Sequence, residues 1–163
     1  MGELCIDVSM ADQTLTVYDS NRTPCGHYRV STARNGAGER RDSERTPRGR
    51  HIVRAKIGAG CTANTVFRGR RPTGELYRPQ LKRLYPQRDW ILTRIMWLSG
   101  LEPGHNRLGL VDTMRRYIYI HGAPDDDRIG EPSSHGCIKM RNADVIELFD
   151  QVPVGTIVTI RED

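Results

Sequence analysis

Paired cysteines are missing from this chain. Its four, Cys5, Cys25, Cys61 and Cys137, stand far apart with no CxxC spacing. A disulfide framework is denser, and structural zinc shows ligands paired at short spacing. Three of the four therefore read as free buried or loop thiols, which suits a reducing compartment. Also missing is any run near the roughly 18–20 apolar residues of a membrane span. Residues 1–7 lack the basic stretch and apolar core of a secretory leader. The expectation is a cytoplasmic protein with no membrane partner. Lysine is scarce too: Lys56, Lys82 and Lys139 are the only three among 25 lysines and arginines, so the other 22 are arginine, within a net charge of +5. Arginine's planar fork grips carboxylates and phosphates two-handed, so a nucleic-acid partner has to be weighed. Aromatics make up only 6%, and no helix-turn-helix, finger or stacking motif accompanies the arginines. Anionic small substrates explain them as well, and a solvated surface explains many. No nucleic-acid partner is expected.

The 163 residues, 28% charged and 37% apolar, have room for a single domain, 1–163, with a core of its own. Alternation begins at once. Ile6 and Val8, then Leu15 and Val17, flank a turn at Asp12-Gln13 and predict a β-hairpin. Tyr28-Arg29-Val30-Ser31 predicts a third strand. Residues 33–50 hold three glycines, six arginines and a proline and read as a polar loop, ending in the turn Thr46-Pro47-Arg48-Gly49 before a strand resumes at His51-Ile52-Val53. Residues 58–89, rich in Gly, Pro and Arg, read as a second long irregular region, and such loops tend to be functional. Residues 90–98 suit a buried strand or a short helix. Tyr117-Ile118-Tyr119-Ile120 predicts a strand that delivers His121-Gly122 at its end. A helix is expected over 142–151, capped by Asn142, with Asp144 in its first turn and Val145, Ile146, Leu148 and Phe149 on its apolar face. A closing strand follows over 156–160. The sum is a mostly β domain with one or two short helices.

One constellation carries chemistry. Cysteine attacks as thiolate, and a nearby histidine supplies the deprotonation that neutral pH does not. Cys137 has two candidates. His135 shares its face if the segment is extended; His121, fixed by a sheet, is the better base on rigidity. Gly136 lets backbone approach closely, so the amides of Gly136 and Cys137 could face a developing oxyanion. On residue types alone, His121, His135 and Cys137 could instead bind zinc, and Cys137 could be an ordinary buried thiol.

His121-Gly122 and Ser134-His135-Gly136-Cys137-Ile138-Lys139-Met140-Arg141-Asn142 closely resemble the signature of the YkuD-type L,D-transpeptidases. Ile6-Asp7-Val8 with Leu15-Thr16-Val17-Tyr18-Asp19 resembles that family's opening hairpin. Tyr28-Arg29-Val30-Ser31-Thr32, Thr46-Pro47-Arg48-Gly49 and residues 152–160 resemble its later landmarks. The resemblance implies a β-sandwich-like catalytic domain that needs no cofactor or metal. It implies a thioacyl-enzyme on peptidoglycan stem peptides, with Cys137 as nucleophile on the bond before a terminal D-alanine. His121 would be the base, oriented by the backbone of Gly122. Ser134 and His135 would support the loop, and Gly136 and Cys137 would supply oxyanion donors. Lys139, Arg141, Asn142 and Arg48 are candidates for holding the substrate, Arg48 and Arg141 its carboxylates, though surface decoration explains such arginines equally. The twelve residues between His121 and Ser134 would form a short lid whose Asp125-Asp126-Asp127 are either solvated or receive a diaminopimelate ammonium. With no leader expected, an L,D-carboxypeptidase trimming recycled tetrapeptide muropeptides is favoured over an L,D-transpeptidase.

Overall fold

The computed structural model describes residues 3–163. Met1 and Gly2, where the stretch read for a leader begins, lie outside the described residues. The expected hairpin forms from β1 (Cys5–Ser9) and β2 (Thr14–Tyr18), pairing Ile6 with Val17 and Val8 with Leu15. All four side chains are at most 1% exposed, as period-two alternation over a one-sided core requires. The turn is held from within: the Gln13 amide donates to Met10 O and Thr32 Oγ1, each at 2.7 Å, and accepts from Thr32 N–H at 2.9 Å. The third strand, β3 (Pro24–Arg29), starts earlier than Tyr28. Next comes β4 (Gly49–Ile57), after the polar loop.

Residues 58–89 are not the irregular region expected. They contain β5 (Thr65–Arg68), β6 (Arg71–Leu76) and the short helix α1 (Pro79–Leu84). The β5–β6 hairpin faces solvent along most of β6, so it lacks the alternation that betrays a strand. Residues 90–98 resolve as strand: β7 (Ile91–Gly100), buried along most of its length. β8 (Tyr119–Ala123) carries His121 and Gly122 inside the strand rather than beyond its end. β9 (Ile138–Arg141), α2 (Asn142–Gln151) and β10 (Ile157–Arg161) complete the chain.

Among the described residues all ten strands belong to one sheet, so the two layers of the expected sandwich are parts of a single curled surface. The path runs β3-β2-β1-β10-β4-β7-β5-β6, with β8 on the other edge of β7 and β9 beyond it. β9 then returns toward the start. Ser31 and Lys139 exchange both backbone hydrogen bonds, each at 2.9 Å, and Ala33 bridges to Ser134. α2 fills the enclosed space with Val145, Leu148 and Phe149 against Met96, Ile120, Ile138 and Met140. Each fully buried side chain of this kind contributes roughly 1.5–3 kcal/mol, so the helix is fixed by packing more than by its ends. Asn142 is not its cap; that position is Arg141, and no side chain caps it.

Candidate active site

The parallel β8–β9 pair sets the site. Ile120 lies opposite Ile138, and His121 opposite Lys139. Side chains alternate along a strand, so Ile120, Ile138 and Met140 point into the core. Tyr119, His121, Cys137 and Lys139 share the other face. The Cys137 thiol donates to Tyr117 O at 3.4 Å, and its sulfur accepts the Tyr119 N–H at 3.3 Å. Among the described residues no hydrogen bond joins it to His121.

His121 is 1% exposed, and its Nδ1 lies 2.7 Å from Gly122 O. A carbonyl only accepts, so Nδ1 carries the proton and Nε2 is left with its lone pair free. Burial drives the imidazole's pKa down, against the opposing pull of Asp89 and the Gly122 carbonyl. Burial also pushes the Cys137 thiol up to about 12, against the Tyr119 N–H, Arg116 and Lys139, which favour the thiolate. Both groups are therefore neutral at rest. Gly122 can be nothing larger: a Cβ there would lie 2.5 Å from Asn142 Oδ1 and 2.6 Å from Leu92 O. The crowding comes from a bulge in β7, where register shifts between Leu92 and Ile95 and Thr93 takes a φ of 75°. A β-branched residue rarely adopts that conformation. Here it points Thr93 Oγ1 at Asn142 Oδ1, 2.6 Å away.

The motif loop is sewn in place by backbone. Ser134 Oγ donates to Cys137 O at 2.6 Å and accepts the Gly136 N–H at 3.1 Å, while Gly136 O accepts from Thr46 Oγ1 at 2.9 Å. Gly136 has a φ of 129°, and a Cβ on it would press on Ile118 Cδ1 at 3.1 Å and Arg45 O at 3.2 Å. Of the two expected oxyanion donors, the Gly136 amide is already taken by Ser134. The Cys137 amide has no intramolecular partner among the described residues.

A pocket of about 520 Å³ opens beside Cys137, with Arg70, Asp89, Arg116, Tyr117 and His135 in its lining. His135 is exposed and makes no hydrogen bond among the described residues, so it does not brace the loop as expected. The four expected substrate residues are not in the lining. Arg48 is bound by Glu39 at 2.9 Å and by Glu162 at 2.9 Å. Lys139 is paired with Asp127 at 3.1 Å. Asn142 is 4% exposed and bonded to Thr93, Asn64 and Asp125; Arg141 ends β9 facing solvent. The three acids are tied back as well, Asp125 to Asn142, Asp126 to the Tyr77 hydroxyl at 3.3 Å and Asp127 to Lys139. Among the described residues no three His, Cys, Asp or Glu side chains are arranged to hold a metal ion. Arg70, Asp89 and Arg116 escaped the sequence reading. The first two lie in the stretch taken for irregular loop, where Gly69 between two arginines was the one local hint.

A single curled sheet thus puts a buried histidine of fixed tautomer on the same face of the β8–β9 pair as a cysteine that opens on a pocket. The family description "L,D-transpeptidase catalytic domain" (YkuD) matches residues 4–160, and the chain belongs to that family. Among curated relatives, "Putative L,D-transpeptidase YqjB" of Bacillus subtilis is 46% identical over 48 residues, 29% of this chain and 27% of that protein. "Probable L,D-transpeptidase ErfK/SrfK" of Escherichia coli is 46% identical over 56 residues, 34% of this chain and 18% of that one. These matches thus span under a third of the relatives' own length. L,D-transpeptidase 3 of Mycobacterium tuberculosis, solved with a faropenem-derived adduct, superposes with a TM-score of 0.61 at 18% identity. It covers 99% of this chain and 61% of that one, and that likeness speaks for the fold.

Proposed function

We propose that the protein is an L,D-carboxypeptidase that removes terminal D-alanine from tetrapeptide muropeptides through a thioester on Cys137. The observation that carries the chemistry is the His121 Nδ1–Gly122 O bond of 2.7 Å, which leaves Nε2 as the proton acceptor on the face that Cys137 shares. Since thiol and imidazole are both neutral at rest, proton transfer accompanies attack rather than preceding it. The sulfur, turning from Tyr117 O, adds to the carbonyl before D-alanine while Nε2 takes its proton. The oxyanion meets the free Cys137 amide. The C–N bond then breaks, D-alanine leaves with the proton from Nε2, and a thioester remains. Water, deprotonated by His121, adds to that thioester and returns Cys137 as thiol.

Water as acceptor is supported by what does not cover the site. No residue between His121 and Ser134 lines the pocket, because the acids of that segment are bound to Asn142, Tyr77 and Lys139. A thioester there stays open to solvent. The proposal includes action in the cytoplasm on soluble recycled muropeptides; activity in the soluble cell fraction is expected. An L,D-transpeptidase, which cross-links or exchanges D-amino acids, is the second reading. It is favoured by the relatives' names and by a polar hollow of about 230 Å³ that shares Arg116, Tyr117 and His135 with the main pocket and could admit an amine. Weighing the products of a disaccharide-tetrapeptide, with and without excess D-amino acid, decides. Tripeptide in both cases is expected; dominant exchange or cross-linked dimers would establish the second reading.

A further inference from the structure

The lining of the Cys137 pocket carries a charge arrangement that the reaction steps above do not use. Arg70 sits at the tip of the β5–β6 hairpin, where Gly69 and Arg70 have φ of 56° and 63°. Two positive φ values mark a two-residue type I′ loop, and a side chain at the second of them is conformationally costly. That costly backbone lays Arg70 across an aromatic platform. Its guanidinium carbon is 4.6 Å from the Trp97 ring centre and 5.0 Å from that of Tyr117, and Nη1 donates to the Tyr119 hydroxyl at 3.0 Å. Stacking and that one bond fix the plane of the fork. Its remaining N–H donors have no protein acceptor among the described residues, and no acid pairs with it.

Asp89 lines the same pocket and is exposed. Among the described residues it makes neither an ion pair nor a hydrogen bond, and it does not pair with Arg70. Arg116, the third charge there, is occupied: it donates to Gly38 O, Ser43 Oγ and Arg45 O. The pocket thus offers one free cationic fork and one free carboxylate beside the sulfur. Two opposite charges that do not reach each other suit a ligand head bearing both. A terminal D-alanine brings only a carboxylate to such a wall, and a lysine side chain only an ammonium. The free end of a diaminopimelate side chain carries an ammonium and a carboxylate on one carbon.

We propose that Arg70 and Asp89 are specificity-determining residues that receive this zwitterionic end, the carboxylate on Arg70 and the ammonium on Asp89. The inference rests on the stem-peptide substrate proposed above, and its test does not depend on which acceptor the thioester meets. Binding is measured by calorimetry on Cys137→Ala protein, which cannot turn over. Three tetrapeptides are compared: free diaminopimelate, the same with its side-chain carboxylate amidated, and lysine in that position. The free form should bind about tenfold more tightly than the amidated one, the size of a lost charge-assisted contact. Arg70→Gln should abolish that preference, and Arg70→Lys should restore part of it. Asp89→Asn should weaken the free and lysine peptides alike and leave the preference for the carboxylate. Unchanged thermal unfolding checks that the hairpin is intact. Equal affinity for free and amidated peptide, no binding of either, or a preference kept in Arg70→Gln would overturn the proposal. Failure of the thioester reaction would show separately, as native enzyme that binds the free peptide yet releases no D-alanine.

Discussion

The two walls of the Cys137 pocket are built in opposite ways. The Cys137 wall comes from strands paired on both edges and a loop whose carbonyls and amides are bonded to Thr46, Thr32 and Ser31. The Arg70 wall comes from the tip of the β5–β6 hairpin and the segment at Asp89, and the Arg70 side chain is held there by aromatic stacking and one side-chain bond. Reaction chemistry needs fixed distances, so its groups sit where backbone hydrogen bonds over-determine position. Recognition of a substrate end tolerates a wall that gives, so it can be carried by an edge of the fold. The same contrast appears in the ionisable groups. Near β8 burial keeps His121 and Cys137 neutral, whereas Asp89 is exposed and Arg70 only half-buried.

The largest effect should come from the rigid wall. Cys137→Ala should lower turnover by at least about 10³-fold, since no other nucleophile shares its place. Its denaturation midpoint should stay near the native one, because the half-buried thiol makes only two weak hydrogen bonds. Near-normal turnover would mean the nucleophile lies elsewhere.

His121→Ala should cost about 10²–10⁴-fold, the usual worth of a general acid–base group. His135→Gln, changing an exposed ring without hydrogen bonds, should cost far less. Equal losses in steady-state kcat/KM would break the distinction between the buried and the exposed histidine.

Acid should loosen the molecule from its buried side. His51 is 0% exposed, between Gly49 O and Thr113 Oγ1, and burial lowers its pKa from 6.5 to about 4. The unfolded chain takes up that proton first, so stability is full above pH 6.5 and falls as pH drops toward 4. His51 contributes about 3 kcal/mol over that window, and His121 acts in the same direction. Urea titrations at stepped pH should show this slope, and a flatter slope is expected in His51→Gln. A flat native profile would show that these histidines are not desolvated.

Arg48→Ala should leave kinetics unchanged and destabilise by about 1 kcal/mol. Its side chain is 41% exposed and its partner Glu39 12%, so solvent screens most of the pair. A raised KM would return Arg48 to the substrate, against its ion pairs.

Much of this molecule is legible in its sequence. The β1–β2 hairpin and α2 are, because each shows a single period over a buried face; so is the cluster from Ser134 to Cys137, because glycine, histidine and cysteine at that spacing form a local pattern. His121 follows from a β-branched run. What escaped depends on partners distant in the chain. The β5–β6 hairpin hides its strands because solvent on its outer face removes the alternation. Asn142 looks like a helix cap until Thr93, 49 residues away, claims its side chain. Arg48 and Lys139 look free until Glu39, Glu162 and Asp127 are placed beside them. Residue type and local period thus determined the strands that line the core, helix α2 and the motif that holds Cys137. Only the curled sheet decided which charges were already paired, since pairing depends on distance in space, and so left Arg70 and Asp89 facing the pocket alone.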